Sequence, residues 1–374
     1  MLRLIFFLFS SIFGVYTYFL AGRILRFRKR DNGSRRGNLF RLLSALLVTF
    51  LCSNLRSVTA LVLLHFFVLS MLCDLAASVI RILTKSAEHK TSGGRLRSVF
   101  VRLYRSGAIP LAAALLLLGY GYYNMQHVVR TEYRISTQKQ IGTYKMGLLA
   151  DLHFGTIQDA AVLQKKVEEI NQEGLDFVIL CGDIVEEGTT RENMELCFQI
   201  LGQLDTKYGV CYVYGNHDRQ PYTASPSYTP EELSAAIVAN HITILEDDCV
   251  EINGELVLAG RADAKWGDNS GRASTETVLN GADREKYIIV ADHQPVGAQE
   301  NDSQGVDLQV SGHTHDGQIW PVGVVTRLMG DLTYGEYQIG GCTVVVTSGF
   351  TGWGYPIRTE GHCEYVVLEI SPDF

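Results

Sequence analysis

Tyr144-Lys-Met-Gly-Leu-Leu-Ala150 runs directly into Asp151-Leu-His153, and the same pattern recurs four more times. Phe177–Cys181 leads to Gly182-Asp183, Val210–Tyr214 to Gly215-Asn216-His217-Asp218, Tyr287–Ala291 to His293, and Val306–Val310 to Gly312-His313-Thr-His315. Each apolar run has the length and composition of a buried β-strand. Each is followed at once by residues that ligate metals or move protons. A sheet fixes such groups while the loop after the strand exposes them, so the pattern predicts an α/β domain with its site at the strand ends. Of the ten histidines in the chain, five fall in these stretches. Carboxylate oxygens and imidazole nitrogens with no cysteine pair nearby suit Mn, Fe or Zn in a reactive centre rather than a structural zinc knot.

Working outward, helices alternate with the strands. Ala160, Leu163, Val167 and Ile170 share a helical face, with Gly174 as a stop. A second helix is expected from near Thr190 to Leu204, with Met194, Cys197, Phe198 and Leu201 inward. Thr229-Pro-Glu-Glu232 reads as a capped helix start. Asn253-Gly254 between Val250–Ile252 and Glu255–Ala259 predicts a tight hairpin. Further strands are expected at Thr343–Thr347 and Tyr365–Ile370. Strand–helix units followed by more strands imply mixed sheets. The eight cysteines are scattered, and no disulfide is expected, although Cys249, Cys342 and Cys363 are possible partners.

The first third is different. Residues 1–110 carry 17 Lys+Arg against 3 Asp+Glu, and the remainder 16 against 37. The acidic part is a poor partner for nucleic acid, which needs a basic surface, and no nucleic-acid partner is expected. Leu4–Leu20, Val58–Ile80 and Ala108–Met125 are apolar runs, and Leu42–Ser53 is a shorter one at the lower limit for spanning. Residues 1–20 read either as a span or as a cleaved signal peptide. Arg23, Arg26, Arg28, Lys29, Arg30, Arg35 and Arg36 crowd one loop; Arg81, Lys85, Lys90, Arg95, Arg97, Arg102 and Arg105 crowd another. Positive loops face the cytoplasm. The reading is therefore a multi-pass membrane region over 1–130 with about four spans, including a hairpin turning at 54–57, and a catalytic domain over 131–374 outside the cytoplasm. Asp74, inside one run, is expected near the interface beside Arg81. The Gly/Ser-rich 91–94 belong to a cytoplasmic loop.

The five motifs, D-x-H, G-D, G-N-H-D, H and G-H-x-H in that order over residues 151–315, resemble the calcineurin-like metallophosphoesterase superfamily. Ser311-Gly-His-Thr-His-Asp-Gly-Gln-Ile-Trp-Pro321 and Thr347-Ser-Gly-Phe-Thr-Gly-Trp-Gly-Tyr-Pro-Ile-Arg358 are similar to its bacterial membrane-associated branch, which includes phosphodiesterases like UDP-2,3-diacylglucosamine pyrophosphatase. Asp316 departs from that branch, where Gly is more usual. The resemblance implies a sandwich of two mixed β-sheets flanked by helices. It implies one divalent metal (Mn, Fe or Zn) on Asp151, His153, Asp183 and His315 and a second on Asp183, Asn216, His293 and His313, with Asp183 bridging. It implies hydrolysis of phosphodiester or pyrophosphate bonds by a hydroxide activated between the metals, with His217 as proton donor to the leaving group and Asp218 orienting it.

Arg358 has two readings, a contact to a substrate phosphate or an ion pair at a surface turn. Trp320, Trp353 and Tyr355 either line the mouth or pack under the loop. His241 and His362 are read as ordinary loop residues. The substrate is a phosphorylated small molecule or a lipid-linked envelope component presented at the membrane. The alternative is a phosphomonoesterase or nucleotidase acting on soluble phosphates.

Overall fold

The computed structural model describes residues 2–28, 34–53, 57–85, 95–264 and 271–372. Lys29, Arg30, Lys90, residues 91–94 and all of the expected 54–57 turn except Ser57 lie outside them. The chain divides into two compact units, Met1–Tyr120 and Gly121–Phe374.

The first unit is helical: α1 (Leu2–Phe27), α2 (Arg35–Cys52), α3 (Val58–Lys85), α4 (Arg95–Ser106) and most of α5 (Ala108–Met125). Among the described residues, two helices are long and apolar enough to cross a membrane, Val58–Leu83 and Ala108–Met125. Helix α2 is longer than its apolar stretch because Ser34 caps it at Gly37 N and it begins through Arg35 and Arg36. Helix α4 was not anticipated; its arginines had read simply as a basic loop. Phe13, Leu20, Cys52 and Phe67 form the unit's core. Asp74 takes its partners from α1 and α4: an ion pair with Arg23 and hydroxyls from Tyr16 (2.7 Å) and Tyr104 (2.5 Å). A carboxylate among apolar helices is tolerable only when paired in this way.

Among the described residues, the second unit holds twelve strands. Its first sheet is built from β1 (Val128–Thr137), β2 (Tyr144–Leu149), β3 (Phe177–Cys181), β4 (Val210–Val213), β5 (Ile242–Ile244) and β12 (Cys363–Pro372), in the order β1-β12-β2-β3-β4-β5. The second is built from β6 (Asp248–Ile252), β7 (Leu256–Gly260), β8 (Tyr287–Ala291), β9 (Leu308–Ser311), β10 (Gly335–Ile339) and β11 (Cys342–Val346), in the order β10-β11-β9-β8-β7-β6. Both are mixed: β2 to β5 and β7 to β9 pair in parallel, while β12·β2, β6·β7 and β10·β11 are antiparallel.

Continuous apolar runs make these strands because both faces are buried. On β3, Phe177, Ile179 and Cys181 enter the layer between the sheets, while Val178 and Leu180 face helices. On β8, Tyr287, Ile289 and Ala291 face inward and Ile288 and Val290 outward. The architecture is thus a two-sheet sandwich with helices on the outside, as expected. The outer layer over the first sheet contains α6 (Ala160–Asn171), α7 (Arg191–Leu201) and α8 (Pro230–Ala239). The remaining helices are α9 (Thr275–Val278), α10 (Ala298–Ser303) and α11 (Val322–Met329). Thr229 and Glu232 form the expected capping box of α8, and Thr190 caps α7, which stops at Leu201 with Gly202 as its C-cap.

Strand β1 begins three residues before the expected start at 131 and pairs in parallel with β12 over its whole length. The last turn of α5 belongs to this unit: Met125 is buried, and Asn124 Nδ2 donates to the carbonyls of Arg358 (3.1 Å) and Gly361 (2.8 Å). All eight cysteines are free thiols.

Candidate metal centre

The five motif stretches converge. Asp151 and His153 follow β2, Asp183 follows β3, and Asn216, His217 and Asp218 follow β4, all on the first sheet; His293 follows β8, and His313 and His315 follow β9, on the second. The two sheets meet closely here: a Cβ on Gly312 would stand 2.5 Å from Asp151 Oδ2, and one on Gly182 would strike the His293 ring. Asp151, His153, Asp183, His313 and His315 all have left-handed backbone, with φ between 42° and 71°. Non-glycine residues in that region cost free energy and cluster at functional sites. Backbone bonds hold them there: Asp151 N to Gly182 O, His153 N to Asp183 O and Thr351 N to Asp151 O, each 3.0 Å.

The ligand atoms fall in two groups, Asp151–His153–His315 and Asp183–His293–His313, each within 4.8 Å of one another. His293 Nδ1 lies 2.8 Å from the Cys181 carbonyl and His315 Nδ1 lies 3.1 Å from the Thr351 carbonyl. A carbonyl only accepts, so both Nδ1 atoms carry hydrogen and both Nε2 lone pairs point into the site, as in metal-ligating histidines. His315 Nε2 faces His153 Nε2 at 3.3 Å and Asp151 Oδ1 at 3.4 Å; His293 Nε2 faces Asp183 Oδ2 at 3.2 Å. His293 Nε2 and Asn216 Oδ1 are buried without a hydrogen-bond partner. Buried acceptors aimed at a common point, with imidazoles face to face, suit cations.

Electrostatics favour neutral ligands at His313 and His315, whereas at His293 burial is outweighed by Asp183 and Asp151, which hold its pKa well above the usual imidazole range. Burial pushes the Asp151 carboxyl up to about 6, with Asp183 adding to the rise. Burial and the neighbouring His293 lower His313 to about 4, and burial together with His153 holds His315 well below the usual imidazole range. A neutral imidazole is the form that ligates.

The proton-handling residues differ from expectation. Asp218 does not orient His217. Its buried carboxylate accepts four backbone N–H groups, from Asp183 (3.0 Å), Ile184 (2.9 Å), Val185 (3.1 Å) and Gly215 (2.6 Å), and so ties the β3 and β4 loops together. The group that holds His217 is Glu187, whose Oε2 lies 2.6 Å from Nδ1. Glu186 stands 3.3 Å from His153 Nδ1. Burial lowers the His217 pKa, but Glu187 and Asp183 outweigh it and leave it raised.

Arg358 is neither a phosphate contact nor a surface ion pair. It is 0% exposed and donates to the carbonyls of Thr351 (2.9 Å), His315 (2.7 Å), Ser348 and Glu360 (3.3 Å). The loop after β11 closes over it, so it is a brace behind the His315 loop. Asp316 occupies a left-handed position (φ 46°), where a glycine would sit without strain, and is paired with Arg327. The exposed rings of Trp353 and Tyr222 both pack against His217, at 5.2 and 5.1 Å. A cavity of about 410 Å³ opens beside Asn216, lined by Tyr214, Arg219, Tyr222, Asp263 and Arg272.

A family described as Calcineurin-like phosphoesterase matches residues 144–317. An uncharacterized metallophosphoesterase of Helicobacter pylori is 30% identical over 319 residues, 82% of this chain and 83% of that protein. The chain belongs to the calcineurin-like phosphoesterase family. A Danio rerio protein named as a transmembrane protein with metallophosphoesterase domain is 28% identical over 75% of this chain and 64% of its own length. The crystal structure of a dimetal phosphatase from Danio rerio superposes with TM-score 0.38 and 14% identity, over 55% of this chain and 87% of that one. As a calcineurin-like phosphoesterase the protein is a metal-dependent hydrolase of phosphate esters, and the family's two divalent metals fit the two ligand groups. The apolar helices and the transmembrane relative suggest membrane association.

Proposed function

We propose that the protein is a multi-pass membrane enzyme whose catalytic domain, outside the cytoplasm, hydrolyses phosphodiester or pyrophosphate bonds, including those of lipid-linked substrates. The observation that carries the diester preference is charge. The arginines beside the mouth are already paired, Arg219 with Glu246 (2.7 Å) and Arg272 with Asp292 (2.7 Å), and Arg358 is turned away into the loop. Beyond the metals, and among the described residues, His217 is the group placed to carry a proton beside the reacting centre, its pKa lowered by burial but raised on balance by Glu187 and Asp183. A singly charged diester suits such a site better than a doubly charged monoester.

In this reading Asp151, His153 and His315 would hold one metal, and Asn216, His293 and His313 the other, with the Asp183 carboxylate available to both. The bound pair would lower the pKa of water and screen phosphoryl charge. His217, steadied by Glu187, donates the proton that the leaving oxygen needs. Trp353 and Tyr222 pack against His217 beside that oxygen, and the adjacent cavity receives the leaving group. The basic loops of the helical unit favour about four spans and an exported domain. Tethering raises the effective concentration of membrane-borne substrate.

The test uses the full chain in detergent, stripped of metal and reloaded with Mn. Bis-(p-nitrophenyl) phosphate is assayed beside p-nitrophenyl phosphate, with Asp183→Asn and His217→Ala as controls. The expected result is Mn-dependent diester cleavage lost in both variants. Preference for the monoester overturns the diester reading, and a C-terminal reporter active only in the cytoplasm overturns the topology.

A further inference from the structure

Helix α11 is amphipathic in the opposite sense to a water-facing surface helix. Its inward side is Gly323 and Arg327: Gly323 N donates to Glu360 Oε2 (2.8 Å), and Arg327 pairs with Asp316 and with Glu360 (3.0 Å). Its outward side is apolar, with Val322, Val325, Leu328 and Met329 at 44, 50, 83 and 75% exposure. The Thr326 hydroxyl turns back to the carbonyls of Val322 and Gly323. An ordinary surface helix buries its apolar stripe and shows its charges to water. Apolar side chains collected on the outside mark an interaction surface.

The surroundings of α11 indicate what covers it. Residues 357–361 lie between α11 and the last turn of α5. On one side Glu360 grips α11. On the other, Arg358 N donates to Gly121 O (2.9 Å), Asn124 bonds the carbonyls of Arg358 and Gly361, and a Cβ on Gly121 would stand 2.7 Å from Thr359 and 2.8 Å from Ile357. Helix α5 is one of the two helices apolar enough to cross a membrane, and its last turn exposes Tyr122 and Tyr123. Tyrosines in that position settle at headgroup level. The apolar face of α11 is therefore tied, through residues 357–361, to the residues with which α5 ends.

We propose that α11 lies in the membrane interface, its Val322–Val325–Leu328–Met329 face immersed at the boundary of headgroups and acyl chains. The inference rests on α5 being a span. It gives the catalytic domain a second membrane contact, and the Asp316–Arg327 pair connects that contact to the loop bearing His313 and His315.

The full chain is reconstituted in phosphatidylethanolamine–phosphatidylglycerol vesicles with the photoreactive p-benzoylphenylalanine in place of Leu328 or of Met329. Val238 is the control site: it is exposed on α8, which packs on β5, at the far edge of the first sheet from β1. After irradiation, mass spectrometry reads the adducts. Phospholipid adducts at 328 and 329 and none at 238 are expected. Adducts to a second copy of the chain, or no lipid adduct at 328 and 329, overturn the proposal. Alkaline carbonate extraction of the same vesicles separates the two readings. A chain that washes off refutes the span, and with it this inference; a chain that stays but carries no lipid at 328 refutes the α11 contact alone.

Discussion

Glu187→Ala should disable His217 without touching the metals. The two side chains are 13 and 19% exposed and lie 2.6 Å apart, so water screens the contact only partly. A hydrogen bond to a charged group contributes about 1.5–3 kcal/mol. At 1.36 kcal/mol per tenfold, its loss corresponds to a drop in kcat of roughly 10- to 150-fold. His217→Ala should cost about 10²–10⁴-fold, the usual range for a general acid. If Glu187 acts only through His217, the double variant should be no slower than His217→Ala alone. The assay is steady-state hydrolysis of two diesters, one with an aryl and one with an alkyl leaving group, with bound Mn measured alongside. KM and metal content should hold constant, and the loss should be greater for the alkyl ester, whose departing oxygen needs the proton more. A full additional loss when Glu187→Ala is placed in the His217→Ala background, or a fall in bound metal, would refute the reasoning.

Arg358→Lys should behave as a folding lesion: a single ammonium cannot serve the four carbonyls, and a loss of about 3 kcal/mol or more lowers Tm by roughly 6–12 °C. A raised KM at unchanged Tm would restore the phosphate-binding reading. Asp218→Asn sets an amide against backbone N–H donors that now meet a carboxylate, at a cost of about 2–4 kcal/mol; calorimetry should show the lowered Tm, whereas a pure kcat defect at normal Tm would return Asp218 to the proton relay. Adding Mn to metal-stripped protein at 100 times its Kd should raise stability by about 2.7 kcal/mol, or Tm by roughly 5–11 °C, and Asp183→Asn or His293→Ala should abolish the rise. An unchanged Tm in the parent protein would count against metal binding at these residues.

The strands and the ligand loops were legible because a strand buried on both faces leaves an uninterrupted apolar run, and the residues after it are the chemistry. Strands β3 and β8 fall where the apolar runs place them, Phe177–Cys181 and Tyr287–Ala291. Elements whose character depends on distant partners were not legible. Strand β1 reads as polar, alternating sequence and becomes a strand only by pairing with β12. Helix α11 follows directly on a motif and lacks the inward apolar stripe that identifies a helix. In the site, adjacency in sequence misled: Asp218 stands next to His217 but points at backbone, while Glu187 reaches it from another loop. The signal for Glu187 was the acidic pair Glu186-Glu187 soon after Asp183, on the loop leaving β3. Arg358 looked like an anion contact because sequence carries no information about which carbonyls a loop leaves unpaired.

The seating of β12 between β1 and β2 has a consequence for biosynthesis. β1 emerges first from the ribosome after the N-terminal helices, and β12 emerges after every ligand-bearing loop. Until β12 arrives, β1 has no neighbour and β2 has an open edge, each a row of unsatisfied backbone groups. The first sheet therefore closes in one late event that joins chain segments far apart in sequence, a slow kind of step. Cys363, at the start of β12, meets Met125 at the end of α5, so the same event fixes the last turn of α5 to the sheet.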